Sequence, residues 1–221
     1  MTATRAKPGP RSQSLSKEAL VAAAVQLMEA AGDSGFSLRK LGEQVGCDPM
    51  AVLYHFKSKE GLQRAMADWL NARLLPANTA LPWAGRLAGL AGQYRRLALQ
   101  YPHTFRLMQR FLNTGTADYV HIEMVYQALQ EAGLPEAEMP AACVGWYAAV
   151  YGLILGEIGG LIRRATAPEV AELEQWLLPE LPLLRRLMPR FTELDTTAVF
   201  DLMIDTLHTG LAQRGQLAGQ G

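Results

Sequence analysis

Residues 36–62 read FSLRKLGEQVGCDPMAVLYHFKSKEGL, and the punctuation of this stretch decides the architecture. Ser37 stands where a helix N-cap accepts backbone N–H groups, and Leu38, Leu41 and Val45 follow on one helical face. Gly46 closes that short helix. Asp48 then caps another, with Pro49 at the first helical position, where a missing N–H costs nothing. This helix runs from Pro49 to about Tyr54, and Ser58 caps the next, with Leu62, Ala65, Met66, Trp69 and Leu70 inward. Upstream, Ser16 caps a first helix with Leu20, Ala23, Ala24, Leu27 and Ala31 at helical spacing, ended by Gly32.

Two short helices joined by a tight glycine turn form a helix-turn-helix. Such a pair lays its first helix across a DNA backbone and puts the N-terminal residues of the second into the major groove. A hairpin that serves packing alone is the alternative. It leaves unexplained why the helix opening at Pro49 has so little apolar surface to bury, and why Arg39, Lys40, His55, Lys57 and Lys59 gather around it.

The rest of the composition frames that unit. The chain has 221 residues, 49% hydrophobic and 19% charged, which is globular and excludes a disordered chain. Its 21 basic and 21 acidic residues cancel, yet not evenly: residues 1–64 hold nine basic and six acidic side chains, the remainder twelve and fifteen. A basic leading part on an acidic body suits a polyanion partner, although a small excess is also common on solvated surfaces. Cys47 and Cys143 are too few for a disulfide scaffold, and Met1 to Ser14 lacks an apolar signal region, so a reduced, cytoplasmic protein is expected. The sequence contains no GxSxG, HExxH or CxxC motif and no glycine-rich phosphate loop, which speaks against an enzyme. Neither a cofactor nor a metal site is expected.

Beyond a connector at 71–82, apolar residues recur at helical spacing and no strand-like alternation appears. The expected helices are 84–100, 103–113, 118–132, 141–164, 168–178, 182–190 and 196–213. Residues 141–162 are apolar except for Glu157, a carboxylate that would sit well inside a membrane span. A buried helix with no membrane partner is the expectation, a membrane-anchored protein the alternative. Together with Val199, Leu202, Met203, Leu207 and Leu211, this apolar surface is larger than a monomer leaves exposed. Gly152, Gly156 and Gly159 remove side chains where a partner helix would approach, so a homodimer interface is expected there, with packing within one chain as the alternative.

Residues 14–70, and Phe36–Leu62 above all, resemble the DNA-binding domain of the tetracycline-repressor (TetR) family. Ser37, Arg39, Leu41, Gly46, His55, Phe56, Lys59 and Leu62 stand in register with the family pattern without a gap. Three positions depart from it: Gly42 replaces the usual alanine, Cys47 the usual valine, and Leu53 the usual tyrosine, with Tyr54 beside it. Either Tyr54 takes over the contact of that tyrosine, or the operator differs.

The resemblance implies an all-α protein: a flexible basic arm at 1–13, a three-helix helix-turn-helix DNA-binding domain at 14–71, and a larger helical effector-binding and dimerisation domain at 72–221. It implies a ligand-responsive regulator, a repressor, whose dimer binds a pseudo-palindromic double-stranded operator and is released when a small molecule shifts the first and fourth helices. An all-α small-molecule binder or enzyme without DNA function is the rival reading.

Under the resemblance, Arg39 is the candidate for bidentate reading of guanine, and Pro49 and Met50 for apolar contact with a thymine methyl. Tyr54, His55 and Lys59 are candidates for phosphate contacts, with Ser37 and Ser58 adding hydroxyls and Lys40 a neighbouring charge. His55 is alternatively a core histidine, and Arg39 a solvated surface arginine. The basic arm (Arg5, Lys7, Arg11) would follow the backbone or the minor groove. The effector cavity has as candidate lining Phe105, Met108, Phe111, His121, Met124, Trp146, Tyr147, Tyr151 and Glu157, with ordinary core packing as the alternative for its aromatic and methionine members. A buried Glu157 needs a partner, which His121, an arginine or a cationic ligand would supply.

Overall fold

A computed structural model describes residues 16–111, 113–177 and 180–219. The basic arm, including Arg5, Lys7 and Arg11, lies outside the described residues. Among the described residues every regular element is helical, and the chain divides into two compact units, 1–66 and 67–221, the division falling inside the fourth helix.

The smaller unit holds α1 (Lys17–Gly35), α2 (Leu38–Val45), α3 (Pro49–Phe56) and the first part of α4 (Lys59–Asn71). The caps read from sequence are in place: Ser16 accepts from Ala19, Ser37 from Lys40, Asp48 from Met50 and Ser58 from Gly61. Gly46 ends α2 in the left-handed region at φ 70°. Two expectations for α1 change. Its buried face is Leu20, Val21, Ala24, Val25 and Met28 rather than the stripe through Ala23, Leu27 and Ala31. In a run this uniformly apolar the periodicity fixes no single face, and the larger Val21, Val25 and Met28 bury more area than the alanines they displace. The chain also leaves helical geometry at Gly32 (φ 67°) but resumes it as far as Gly35.

The larger unit holds the end of α4, then α5 (Trp83–Gln100), α6 (Pro102–Phe105), a 3-10 turn (Met108–Arg110), α7 (Thr116–Glu131), α8 (Met139–Ile158), α9 (Ala167–Glu174), α10 (Pro182–Leu187), a second 3-10 turn (Met188–Glu193) and α11 (Thr196–Ala218). Helix α5 packs against α7, α8 and α11, burying Leu87, Leu90, Ala91, Tyr94, Leu97 and Ala98. The helix expected over 103–113 is only α6 and a 3-10 turn, and α8 stops at Ile158 where a helix to 164 was expected. Gly159 and Gly160, the second at φ 83°, turn the chain back so that Leu161 and Ile162 bond the Gly156 carbonyl. By length and apolar composition α8 meets the requirement for a membrane span, yet its Glu157 is clamped by Arg95 of α5.

Candidate functional site

Helix α3 buries only Val52 and Phe56, while Met50 is 67% and Tyr54 85% exposed. His55 is also exposed, which removes it from the core, and its ring meets Tyr54 edge-on at 5.6 Å between centroids. Pro49 is half-buried at the start of the helix. The presentation depends on two close approaches. A Cβ on Gly42 would lie 2.7 Å from the Cys47 carbonyl oxygen and 3.2 Å from Pro49 Cδ, so the alanine usual in relatives is crowded out here. A Cβ on Gly61 would lie on the Phe56 carbonyl, so α4 begins hard against the end of α3. Between them Lys57 takes a positive φ of 65°, the only described non-glycine residue to do so.

The cationic side chains around α3 are exposed, and several are held lightly. Arg39 donates from Nε to Glu43 at 2.9 Å, both side chains open to solvent, a pair that contributes little and yields easily to a stronger acceptor. Lys40 Nζ donates to the Gly35 carbonyl at 2.9 Å, and Lys59 lies 5.6 Å from the centre of the Phe36 ring. The Ser37 and Ser58 hydroxyl oxygens both serve as helix caps. Arg39, Met50, Tyr54, His55 and Lys59 thus all lie at the surface of this one unit.

The larger unit contains a cleft of about 890 Å³ between the 3-10 turn, α7 and α8. That volume suits a drug-sized molecule. Of the expected lining, Met108, Phe111, Tyr147 and Tyr151 are there. Phe105 stands behind them, edge-on to Tyr151 at 5.5 Å. The others go elsewhere. His121 and Met124 border a separate cavity of about 190 Å³ under residues 75–81. Trp146 faces α11, where its Nε1 donates to His208 Nε2 at 3.2 Å. Glu157 receives two hydrogen bonds from Arg95 at 2.7 Å, so an arginine is the partner its burial required, and this contact holds its carboxyl below the ordinary range.

Sequence reasoning missed Asp118, Tyr119, Ile122, Tyr126, Cys143 and Val144, all of which border the cleft. Helical spacing carried the signal for part of the set: 118, 119, 122 and 126 share one face of α7, as 144, 147, 148 and 151 share one of α8. Asp118 is buried, and its Oδ2 accepts from the Thr114 N–H at 3.2 Å. Desolvation, followed by the nearby Asp68, raises its pKa. Thr114 Oγ1 in turn accepts from Asn71 Nδ2 at 2.8 Å, which joins the rim of the cleft to the last residue of α4. Desolvation also raises the pKa of the Tyr147 hydroxyl, which sits beside Tyr94 and Tyr151 with no well-aligned hydrogen bond.

The expected interface residues divide. Leu202 and Met203 are exposed on α11 at 66% and 43%, while Val199, Leu207 and Leu211 are half-buried. Gly152 opens on the cleft. The missing side chains of Gly156 and Gly159 make room for Ile162 and the Leu155 carbonyl of the same chain.

Comparison with known proteins adds to this geometry. Residues 20–66 match the family model described as bacterial regulatory proteins, tetR family, and residues 87–181 match the tetracyclin repressor-like C-terminal domain. The class A tetracycline repressor protein from transposon 1721 of Escherichia coli is 26% identical over 215 residues, 90% of this chain and 92% of that protein. Among solved structures, apo ActR from Streptomyces coelicolor superposes with a TM-score of 0.80 at 20% identity, over 93% of this chain and 99% of ActR. ActR in complex with actinorhodin gives 0.77 at 21% identity, over 94% and 99%.

Proposed function

Because the chain belongs to the tetracycline-repressor family of transcriptional regulators, we propose that two copies sit on a pseudo-palindromic operator and leave it when a small molecule fills the cleft between α7 and α8. The protein is a ligand-responsive, helix-turn-helix regulator with an effector-binding C-terminal domain. The observation that carries the operator reading is α3: a two-turn helix that turns Met50, Tyr54 and His55 outward and is ringed by exposed Arg39, Lys40, Lys57 and Lys59. In that arrangement Arg39 reads a base edge, Pro49 and Met50 touch thymine methyls, and Tyr54, His55 and Lys59 grip phosphates with Ser37 and Ser58. Tyr54, exposed beside the position where relatives carry tyrosine, takes over that contact.

Dimerisation uses the outer faces of α8 and α11, where Leu202 and Met203 are exposed. A two-fold dimer presents its pair of recognition helices to half-sites one turn of DNA, about 34 Å, apart. The tetracycline repressor relative carries the name of a repressor, which supports the negative sign of regulation. The cytosol, where the operator is, is the site of action. Effector binding acts through the cleft wall: the Thr114 N–H donating to Asp118 and the Asn71 amide donating to Thr114 Oγ1 give α7 a hold on the end of α4. An effector shifts the population only as far as it binds the two states differently.

Selection of bound genomic fragments by the purified protein tests the reading. The expected result is one inverted-repeat motif, bound less tightly as salt rises, with Arg39→Ala changing the preferred bases. Retention of the same motif by that variant removes Arg39 from base reading.

A further inference from the structure

The α7–α8 cleft has an electrical asymmetry that its shape alone does not require. Among the described lining residues there is one carboxylate, Asp118, and no Arg, Lys or His. Asp118 is only 7% exposed, and no salt bridge among the described residues reaches it. Its hydrogen bond from Thr114 N–H needs only a neutral acceptor, which an asparagine or serine would provide without the cost of burying a charge. A buried carboxylate is stable when a cation meets it. The walls suit the same guest. Tyr119, Tyr126, Tyr147 and Tyr151 put aromatic rings around the cleft, and ring faces attract cations as well as flat apolar surface.

We propose that the effector of this protein is a lipophilic cation, an aromatic or amine-bearing molecule whose positive group sits against Asp118 while its apolar body lies among the cleft tyrosines. This rests on the reading of the cleft as the effector site and names the chemistry it selects. Burial disfavours the charged form of Asp118, and a cation in the cleft offsets that penalty by pairing with the carboxylate. Glu157, the carboxylate that the sequence offered for this role, is already neutralised by Arg95.

Two dyes built on one xanthene core separate charge from shape: rhodamine 6G, a cation, and fluorescein, an anion at neutral pH. Fluorescence anisotropy with the full chain is expected to show rhodamine 6G binding at least about tenfold tighter, equivalent to about 1.4 kcal/mol. Asp118→Asn keeps the acceptor for Thr114 and is expected to close that gap, with circular dichroism confirming its helix content. Val144→Lys, at a rim position 58% exposed and so tolerant of change, is expected to weaken rhodamine 6G and strengthen fluorescein. Equal or tighter binding of fluorescein by the wild type overturns the proposal. So does an unchanged rhodamine 6G affinity in Asp118→Asn, and so does failure of rhodamine 6G to bind the wild type. A mobility shift on the selected operator with the same protein separates the two readings. DNA binding without dye preference sinks the cation and leaves the regulator, whereas dye preference without DNA binding does the reverse.

Discussion

Helices α3 and α8 both carry apolar sequence that they do not bury, and they leave it out for different purposes. Of the eight residues of α3 two are buried, and of the twenty of α8 four. Around α3 the exposed groups are mixed with cations, so the surface is wettable and suits a polyanion. The residues of α8 split. Val144, Tyr147, Ala148 and Tyr151 face a cleft that the buried Cys143 also borders, Trp146, Val150 and Ile154 face the core, and the end is tied down by Glu157. An apolar helix with three uses looks apolar all round, and its composition alone cannot be told from a membrane span.

The largest effect expected is on the surface outside the cleft. Replacing Leu202 and Met203 together by glutamate should convert the dimer to monomer in sedimentation velocity and weaken operator binding about a hundredfold or more, since each half-site then binds alone. A dimer that survives this change places the interface elsewhere. Next comes α3 and its surroundings. Arg39→Ala should cost about 1–3 kcal/mol of operator affinity and relax one base position, whereas Lys59→Ala should weaken all sequences alike and lower the salt slope by about 1. If the two variants behave alike, the distinction between reading and gripping fails.

The end of α8 gives a comparable figure in stability. Glu157→Gln should lower unfolding free energy by about 1.5–3 kcal/mol, the range for hydrogen bonds to charged groups, and leave rhodamine 6G binding unchanged. Because Arg95 depresses the Glu157 pKa in the folded protein, its contribution is fully present above the ordinary glutamate value of about 4.3. It disappears as pH falls through the lower folded value. The difference in Tm between wild type and variant should therefore be flat from about pH 7 to 5 and close below about pH 4.3. The smallest effect is at Gly42. Alanine gains about 1 kcal/mol in helix propensity, yet its Cβ meets the Cys47 carbonyl at 2.7 Å. Thermal melts should show no net gain, and a full gain would mean that the α2–α3 turn gives way.

The helix-turn-helix was legible because its instructions are local. Ser37, Gly46, Asp48, Pro49 and Ser58 act within a turn of chain, and each does in the structure what its residue type predicts. The cleft was only half legible because its instructions are not local. Tyr147 and Tyr151 announce a shared face by their spacing, but which neighbour that face meets depends on how α5, α7 and α8 stack. Trp146, one residue away, meets His208, sixty-two residues on. Asp118 lies in the first turn of α7, where acidic residues are common, and only packing shows that its carboxylate is shut away from water.

Gly61 sets a practical boundary for anyone moving DNA specificity between relatives. Its absent side chain accommodates the Phe56 carbonyl, so a transplant of α2 and α3 that stops at Lys59 would inherit whatever the host carries at that spot. A bulkier host residue would tilt the grafted segment and misalign it on the duplex. The exchangeable cassette therefore runs from Ser37 through Gly61, two residues past the last side chain that touches DNA in the proposed complex.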